Sequence, residues 1–268
     1  MRSGSEVCGS GQVRIHPTAI IHPDAEIADD VEIGPYTCIA GTVKIGPRTY
    51  VGPRVTIEGH TTIGAENEIF TGAVIGSRTQ DKKYKGGTSF LKIGDRNKIR
   101  EYVTINPGTK EGTETSIGDD NLLMAYSHVA HDCIIKNHTV IANSGTLAGH
   151  VVVEDRAIIG GLSAVHQFVR IGKLALIGGC SKVVQDVPPF MIADGHPARV
   201  FGINVVGLQR AGFSKEERTL IRKAFKTIFR SGIILKNALA NLESDHPASP
   251  SLATLLDFLK ASERGICR

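Results

Sequence analysis

Residues 117–152 read IGDDNL LMAYSH VAHDCI IKNHTV IANSGT LAGHVV, with an aliphatic residue opening every block of six. The same frame extends in both directions. It runs from Ile15 through Ile21, Ile27, Ile33 and Ile39 to Ile75, resumes at Ile93, Ile99 and Ile105, and continues from Ile117 to Val183, giving 26 hexads in one register. The fourth residue after the aliphatic is usually small or β-branched, as at Ala19, Val31, Thr37, Ala73, Ser127, Cys133 and Ser181. A period of six matches neither an amphipathic helix nor a half-buried strand. It matches a parallel β-helix, in which three short strands make one triangular coil. Each aliphatic points into a narrow interior, the small residue sits where the walls converge, and Gly, Pro, Asn and Asp take the corners, as in Ile33-Gly34-Pro35. Burying one aliphatic contributes roughly 1.5–3 kcal/mol, which offsets much of the ordering entropy. At three hexads per coil, the 26 hexads make between eight and nine coils. With layers about 4.8 Å apart the prism is on the order of 40 Å long.

The hexads end near Pro188 and Pro189, and a different pattern follows. Residues 213–230 read as an amphipathic helix, with Ser214 and Glu217 as a capping box and Leu220, Ile221, Ala224, Phe225 and Ile228 as its apolar face. Further helices are expected near 233–243 and 251–263, separated by the breaker-rich stretch 245–250. The predicted organisation is a flexible tail over 1–14, a prism over 15–190 and a small α-helical domain over 191–268. The period is interrupted at 81–92 and again within 109–116, and these segments are expected as loops extruded from the wall. Loops on a rigid scaffold are where function concentrates, and the first carries Gln80 at its edge, then Asp81, Lys82, Lys83 and Tyr84.

Composition narrows the function classes. The five cysteines show no CxxC spacing and read as reduced thiols of a cytoplasmic protein. No apolar run is long enough for a membrane span, so no stable membrane insertion is expected. A formal net charge of +4 is mildly basic and suits an acidic partner. No concentrated basic tract with interleaved aromatics is present, which disfavours nucleic acid.

Because one coil is three hexads, residues three hexads apart stack on one another. His131, Gly149 and Gln167 form one column, and Asp132, His150 and Phe168 the next. An imidazole can take a proton at neutral pH. A glycine N–H one layer away can be approached by an oxyanion. That pairing suits acyl transfer to a hydroxyl, with His131 as base and His150 as a second imidazole paired to Asp132. A zinc site built from histidines of neighbouring coils is the competing chemistry, although three mutually close ligands are not evident from the spacing. Ala142, Gly160 and Gly178 form another column, beside Asn143, Gly161 and Gly179. The two together make a shallow trough fit for a straight hydrocarbon chain.

The combination His128-Val129-Ala130-His131-Asp132-Cys133, Asn143, Leu147-Ala148-Gly149-His150, Ile159-Gly160-Gly161 and Ala164-Val165-His166-Gln167 resembles the UDP-N-acetylglucosamine O-acyltransferases. So do Gln80-Asp81, Lys83-Tyr84, Asn204, Gly207-Leu208 and Arg210, and the likeness spans nearly all the chain after residue 14. The resemblance implies a mainly β fold, a left-handed parallel β-helix of hexapeptide repeats with a small α-helical C-terminal domain, assembled as a homotrimer with sites between subunits. It implies acyl carrier protein as donor, UDP-N-acetylglucosamine as acceptor, and no metal or free cofactor. It makes His131 the general base and the Gly149 N–H the oxyanion donor. Gln80, Asp81, Lys83, His128, Asn143, His150, His166 and Gln167 would contact sugar, pantetheine or acyl groups, Asn204 and Arg210 the nucleotide, and Gly161 and Gly179 the acyl chain. Ala211, Asn106-Pro107 and Pro197 depart from the family pattern. The hexads start at Ile15, which weighs against the related N-acyltransferases that carry an extra N-terminal domain. Stoichiometric zinc would favour a γ-type carbonic anhydrase, and regular Thr ladders, absent here, an ice-binding scaffold.

Overall fold

The computed structural model describes residues 14–245 and 249–268. All but Arg14 of the expected tail, and part of the breaker-rich stretch 245–250, lie outside the described residues. The hexads fold into a left-handed parallel β-helix whose three walls are parallel sheets of 11, 9 and 8 strands, the first lengthened by a C-terminal hairpin. Most strands are two residues long and end on the hexad aliphatic, as in Lys44–Ile45, His128–Val129 and Ala164–Val165. The aliphatic faces inward and its predecessor outward: Ile45, Val129 and Val165 are buried while Lys44 and Ala164 are exposed. Coils pair at the expected interval of three hexads, His128 with Thr146 and Val140 with Ile158.

The corners differ from expectation. The left-handed backbone positions are held mostly by bulky residues, among them Tyr36, Arg54, Tyr102, Tyr126, Leu162 and Phe168, all with φ between 54° and 65°. A left-handed L-residue costs roughly 1–2 kcal/mol. Most corners offset this by donating their N–H to the corner one coil earlier, as Arg54 does to Pro35 (2.9 Å), His150 to His131 (3.0 Å) and Phe168 to Gly149 (3.1 Å).

The loop boundaries also shift. Strands Phe90–Ile93 and Glu114–Ile117 are four residues long and belong to one wall: the first pairs with both the second and His60–Ile63. Positions 90–92 and 114–116 are therefore wall, not loop. Thr61, Leu91 and Thr115 point inward and are buried, which anchors these longer strands before the hexad aliphatic is reached. The chain leaves the wall after Ile75 and after Ile105 instead. Val74 pairs with Thr104 across the first excursion, and Thr104 with His128 across the second. These steps are five hexads and four hexads, where an uninterrupted coil takes three. Each excursion thus adds whole hexads, and the inward frame survives both.

One interior column is polar. Asn67, Asn97 and Asn121 stack below Thr139, all fully or almost fully buried. Asn97 Nδ2 donates to Gly118 O (2.9 Å) and Asn67 Oδ1 (3.1 Å), while its Oδ1 accepts from the Asn121 N–H (2.9 Å). The ladder satisfies corner carbonyls and amides that no water reaches.

Past the prism, residues 191–203 are not helical as expected. Met191–Gly195 continues the 11-stranded wall in parallel with Leu176–Ile177, then turns back antiparallel as Ala198–Ile203. Met191, Ala193, Ala198 and Val200 alternate inward and cover the last coil. The helices follow: α1 (Val205–Arg210), α2 (Lys215–Phe229), α3 (Leu235–Asp245) and α4 (Pro250–Lys260). The Ser214–Glu217 capping box is formed, and Ile221, Ala224, Phe225 and Ile228 are the buried face of α2. No helix among the described residues is long and apolar enough to cross a membrane.

Replacing Asn97 by Ala leaves the Asn121 N–H and the Gly118 carbonyl without their side-chain partners. A loss of about 2–4 kcal/mol is expected from two such groups, read as a clear fall in the thermal unfolding midpoint. An unchanged midpoint would show that the ladder contributes nothing.

Candidate active site

The first loop folds over the wall built from His128–Val129, Thr146–Leu147 and Ala164–Val165, and encloses a cleft of about 480 Å³. Gln80, Asp81 and Lys83 line it from the loop, His128, His131 and Gly149 from the wall, and Gln167 from the next coil. Seven of the residues picked from sequence therefore meet in one place. Lys82, Ala130, Ala148 and Asn106 join them. Asn106 Nδ2 donates to Ser77 O at 2.9 Å, while its buried Oδ1 has no partner among the described residues. The departure from the family pattern at this position thus falls inside the site.

At the centre, His131 and Gly149 are in direct contact. A Cβ built on Gly149 would stand 2.4 Å from His131 Cε1 and 2.5 Å from Nε2, so glycine is what lets the imidazole lie against the neighbouring coil. No backbone hydrogen bond among the described residues uses the Gly149 N–H. On the far side of the ring, His131 Nδ1 lies 2.8 Å from Asp132 Oδ2.

The expected pairing of Asp132 with His150 is present as a longer contact, with His150 Nε2 3.8 Å from the same oxygen. Stacking places Asp132 and His150 one coil apart, but the left-handed corner turns the Asp132 carboxylate back onto its chain neighbour. The Asp132 N–H is held by Thr115 Oγ1 at 2.7 Å, and the second loop adds the Thr109 N–H at 3.2 Å from Oδ2. Burial pushes the Asp132 carboxyl up, but hydrogen bonds from His131 and Thr113 and the His150 and His131 charges outweigh it and carry it below its ordinary value. An ionised Asp132 can only accept. The proton of that bond therefore sits on Nδ1, and Nε2 faces the cleft. Asp81 Oδ2 is 3.7 Å from Nε2, across the space where a hydroxyl can enter.

His128 is bonded through Nδ1 to the Thr104 hydroxyl at 2.7 Å. Burial, then the neighbouring His131, holds it below its ordinary pKa and favours the neutral form. His150 is also lowered, by burial first, against the opposing pull of Asp132. Its ring stacks on Phe168 (4.5 Å, 7°) and meets His131 edge-on (5.1 Å, 88°). The absence of three mutually close ligands, expected from spacing, does not hold: one ligand atom each of His131, Asp132 and His150 lie within 4.8 Å of one another.

The other expected residues lie elsewhere in the chain. His166 turns to solvent, with Nδ1 near Gln167 O (3.2 Å) and the Arg264 guanidinium (3.3 Å). Asn204 is buried and fully used: Oδ1 caps α1 at the Gly207 N–H and Nδ2 donates to Leu174 O, both at 2.9 Å. With Arg210 and Ala211 it lines a separate groove of about 250 Å³ against Val140, Ile158 and Leu176, on the 11-stranded wall. Asn143, Gly161 and Gly179 form their column at the opposite edge of the His128 wall, with Thr146 and Ala164 between it and His131. Within that pair of columns the glycines differ. A Cβ on Gly160 meets the next coil's backbone at 2.6 Å and one on Gly178 meets Asp194 at 2.5 Å, whereas Gly161 and Gly179 each offer a single carbonyl at 3.3 and 3.4 Å. The coil needs the first column and leaves the second free for another purpose.

A hexapeptide prism holding a carboxylate-oriented imidazole beside a free backbone N–H defines a hexapeptide-repeat transferase. The profile described as bacterial transferase hexapeptide (six repeats) matches residues 114–149, the stretch that carries both groups. The profile of UDP N-acetylglucosamine O-acyltransferase, domain 2, matches residues 186–267. The acyl-[acyl-carrier-protein]–UDP-N-acetylglucosamine O-acyltransferase of Janthinobacterium sp. (strain Marseille) is 51% identical over 259 residues, 95% of this chain and 99% of that protein. LpxA from Acinetobacter baumannii shares the fold with a TM-score of 0.92 at 45% identity, covering 95% and 99% of the two chains. UDP-N-acetylglucosamine O-acyltransferase (LpxA) from Moraxella catarrhalis does so with a TM-score of 0.91 at 41% identity, again over 95% and 99%. The chain belongs to the acyl-[acyl-carrier-protein]–UDP-N-acetylglucosamine O-acyltransferase family and is an acyltransferase.

Gly149→Ala forces the His131 ring off its seat. Turnover is expected to fall about 100-fold, the scale of an ångström-sized misplacement, with the circular dichroism spectrum unchanged. Near-normal turnover would mean that the ring contact is dispensable.

Proposed function

We infer that this chain transfers a 3-hydroxyacyl chain from acyl carrier protein to the 3-position of the glucosamine ring in UDP-N-acetylglucosamine, the first step of lipid A biosynthesis. The observation that carries the reading is the His131 imidazole, bonded to Asp132 through Nδ1 and lying against Gly149 with Nε2 open to the cleft. The activities of relatives matched over nearly their whole length supply the substrates.

The acceptor hydroxyl gives its proton to His131 Nε2 as its oxygen attacks the thioester carbonyl. The carbonyl oxygen becomes an oxyanion and accepts the Gly149 N–H. When the tetrahedral intermediate collapses, the C–S bond breaks and the proton on Nε2 passes to the departing pantetheine sulfur. Asp132 keeps Nδ1–H in place and stabilises the imidazolium between the two steps, without taking a proton itself. A positioned base contributes typically 10²–10⁴-fold, and one oxyanion donor about 2.7–4 kcal/mol. Asp81 and neutral His128 are placed to bind the hydroxyl-bearing ring, Lys83 and Gln167 the polar ends of donor or acceptor.

The single chain holds the base and the oxyanion donor but leaves the Asn204–Arg210 groove on another wall. A parallel homotrimer brings the wall of one protomer against the next. Arg210, a fixed cation with a donor fork, then suits the diphosphate of the acceptor bound at a neighbour's cleft. Asn204 serves by holding the start of the helix that carries it. The column of Asn143, Gly161 and Gly179 receives the acyl chain, and His166 and His150 flank the pantetheine. The enzyme works in the cytoplasm with no free cofactor, since the carrier protein brings its own pantetheine.

His131→Ala is expected to abolish acyl transfer while the oligomer stays intact on size-exclusion chromatography, and turnover near wild type would sink the base assignment. Gly179→Met fills the open column, so the preferred acyl chain shortens when carrier proteins of graded chain length are compared. An identical length profile would refute that placement. The deciding experiment pairs those carriers with UDP-N-acetylglucosamine and its 3-amino analogue.

A further inference from the structure

We propose that His131, Asp132 and His150 bind a transition-metal dication of the Zn²⁺ type, and that the bound ion switches the site off by fixing the wrong tautomer of His131. One ligand atom from each side chain lies within 4.8 Å of the other two. Asp132 Oδ2 stands 2.8 Å from His131 Nδ1 and 3.8 Å from His150 Nε2. Ligand atoms around a tetrahedral zinc with bonds of about 2.0–2.2 Å stand roughly 3.3–3.5 Å apart. The two separations bracket that value, and side-chain adjustment on the order of an ångström closes the set. Two imidazoles and one carboxylate favour Zn²⁺, Cu²⁺ or Ni²⁺ over Mg²⁺ and Ca²⁺, which prefer oxygen. The stack on Phe168 fixes the plane of His150. The His150 side chain is 39% exposed, which leaves an entry path and room for water as fourth ligand.

The consequence follows from imidazole chemistry, and rests on the general-base reading given above. Acyl transfer needs the proton on Nδ1 and the lone pair on Nε2. A metal on Nδ1 occupies the lone pair there, so the proton moves through solvent to Nε2, with none gained or lost overall. His131 then offers the acceptor hydroxyl an N–H where the reaction needs a base. His150, placed beside the pantetheine, is engaged by the ion, whereas Asp81 and His128, placed against the acceptor ring, are untouched. The ion therefore lowers kcat and leaves KM for the acceptor in place.

Two measurements on the full chain test this. The first is titration with Zn²⁺ alone by calorimetry, with Co²⁺ as spectroscopic probe. One ion per chain and the visible bands of tetrahedral Co²⁺ are expected, with affinity falling at least about tenfold in both His150→Ala and His150→Gln. No binding by the wild type, or binding that both His150 variants leave unchanged, overturns the site. The second is turnover with added Zn²⁺, where a fall in kcat at constant acceptor KM, reversed by a chelator, is expected. A rise in acceptor KM, or full activity with the ion bound, overturns the tautomer switch. The titration involves no turnover, so it stands or falls separately from the catalytic role of His131.

Discussion

The interior of the prism is narrow, with room per wall and layer for one hexad aliphatic and one residue beside it, usually small or β-branched, and this constraint governs the rest of the molecule. A slip of one residue would turn every aliphatic outward and every exposed residue inward. Insertions survive only as whole hexads, which is why the excursion after Ile75 adds two of them and the excursion after Ile105 adds one. The same constraint gives the site its rigidity. His131 and Gly149 keep their contact because the backbone of each coil is hydrogen-bonded to the coils above and below it, as at His150 N to His131 O. The geometry of the candidate site is a by-product of a lattice.

Much of this is legible in the sequence because a strict repeat is a coordinate system. The wall order, the columns, and the neighbours His131, Gly149 and Gln167 all follow from counting. What counting does not supply is the reach of a side chain within a corner. Column arithmetic finds the pairing of Asp132 with His150, one coil away at 3.8 Å, but not the closer hydrogen bond of Asp132 to His131, the residue before it. The signal is present as a His-Asp pair at a turn, but vertical arithmetic treats adjacent residues as belonging to different columns. The same blindness hides the convergence of three possible metal ligands.

Other misses have separate physical causes. A missing hexad aliphatic puts the loops a few residues late, because it marks where the period resumes, and the wall resumes earlier through buried Leu91 and Thr115. The hairpin at 191–203 escapes a pattern reading because its alternation is short and broken by Gly195 and Pro197. Asn204 and Arg210 are assigned to the acceptor by likeness alone, and the single chain sets them on another wall, a separation that no linear pattern can express.

The two loops leave the same corner of successive coils and are knitted to each other. Asn106 bonds to Ser77, the Thr109 hydroxyl to that of Thr79, and the Thr88 N–H to the Glu111 carboxylate at 2.7 Å. Each loop therefore supplies partners that the other needs. They form one heritable unit: divergence in one demands an answering change in the other. Exchange of substrate preference between relatives requires both to be transplanted together, along with the wall residues between them.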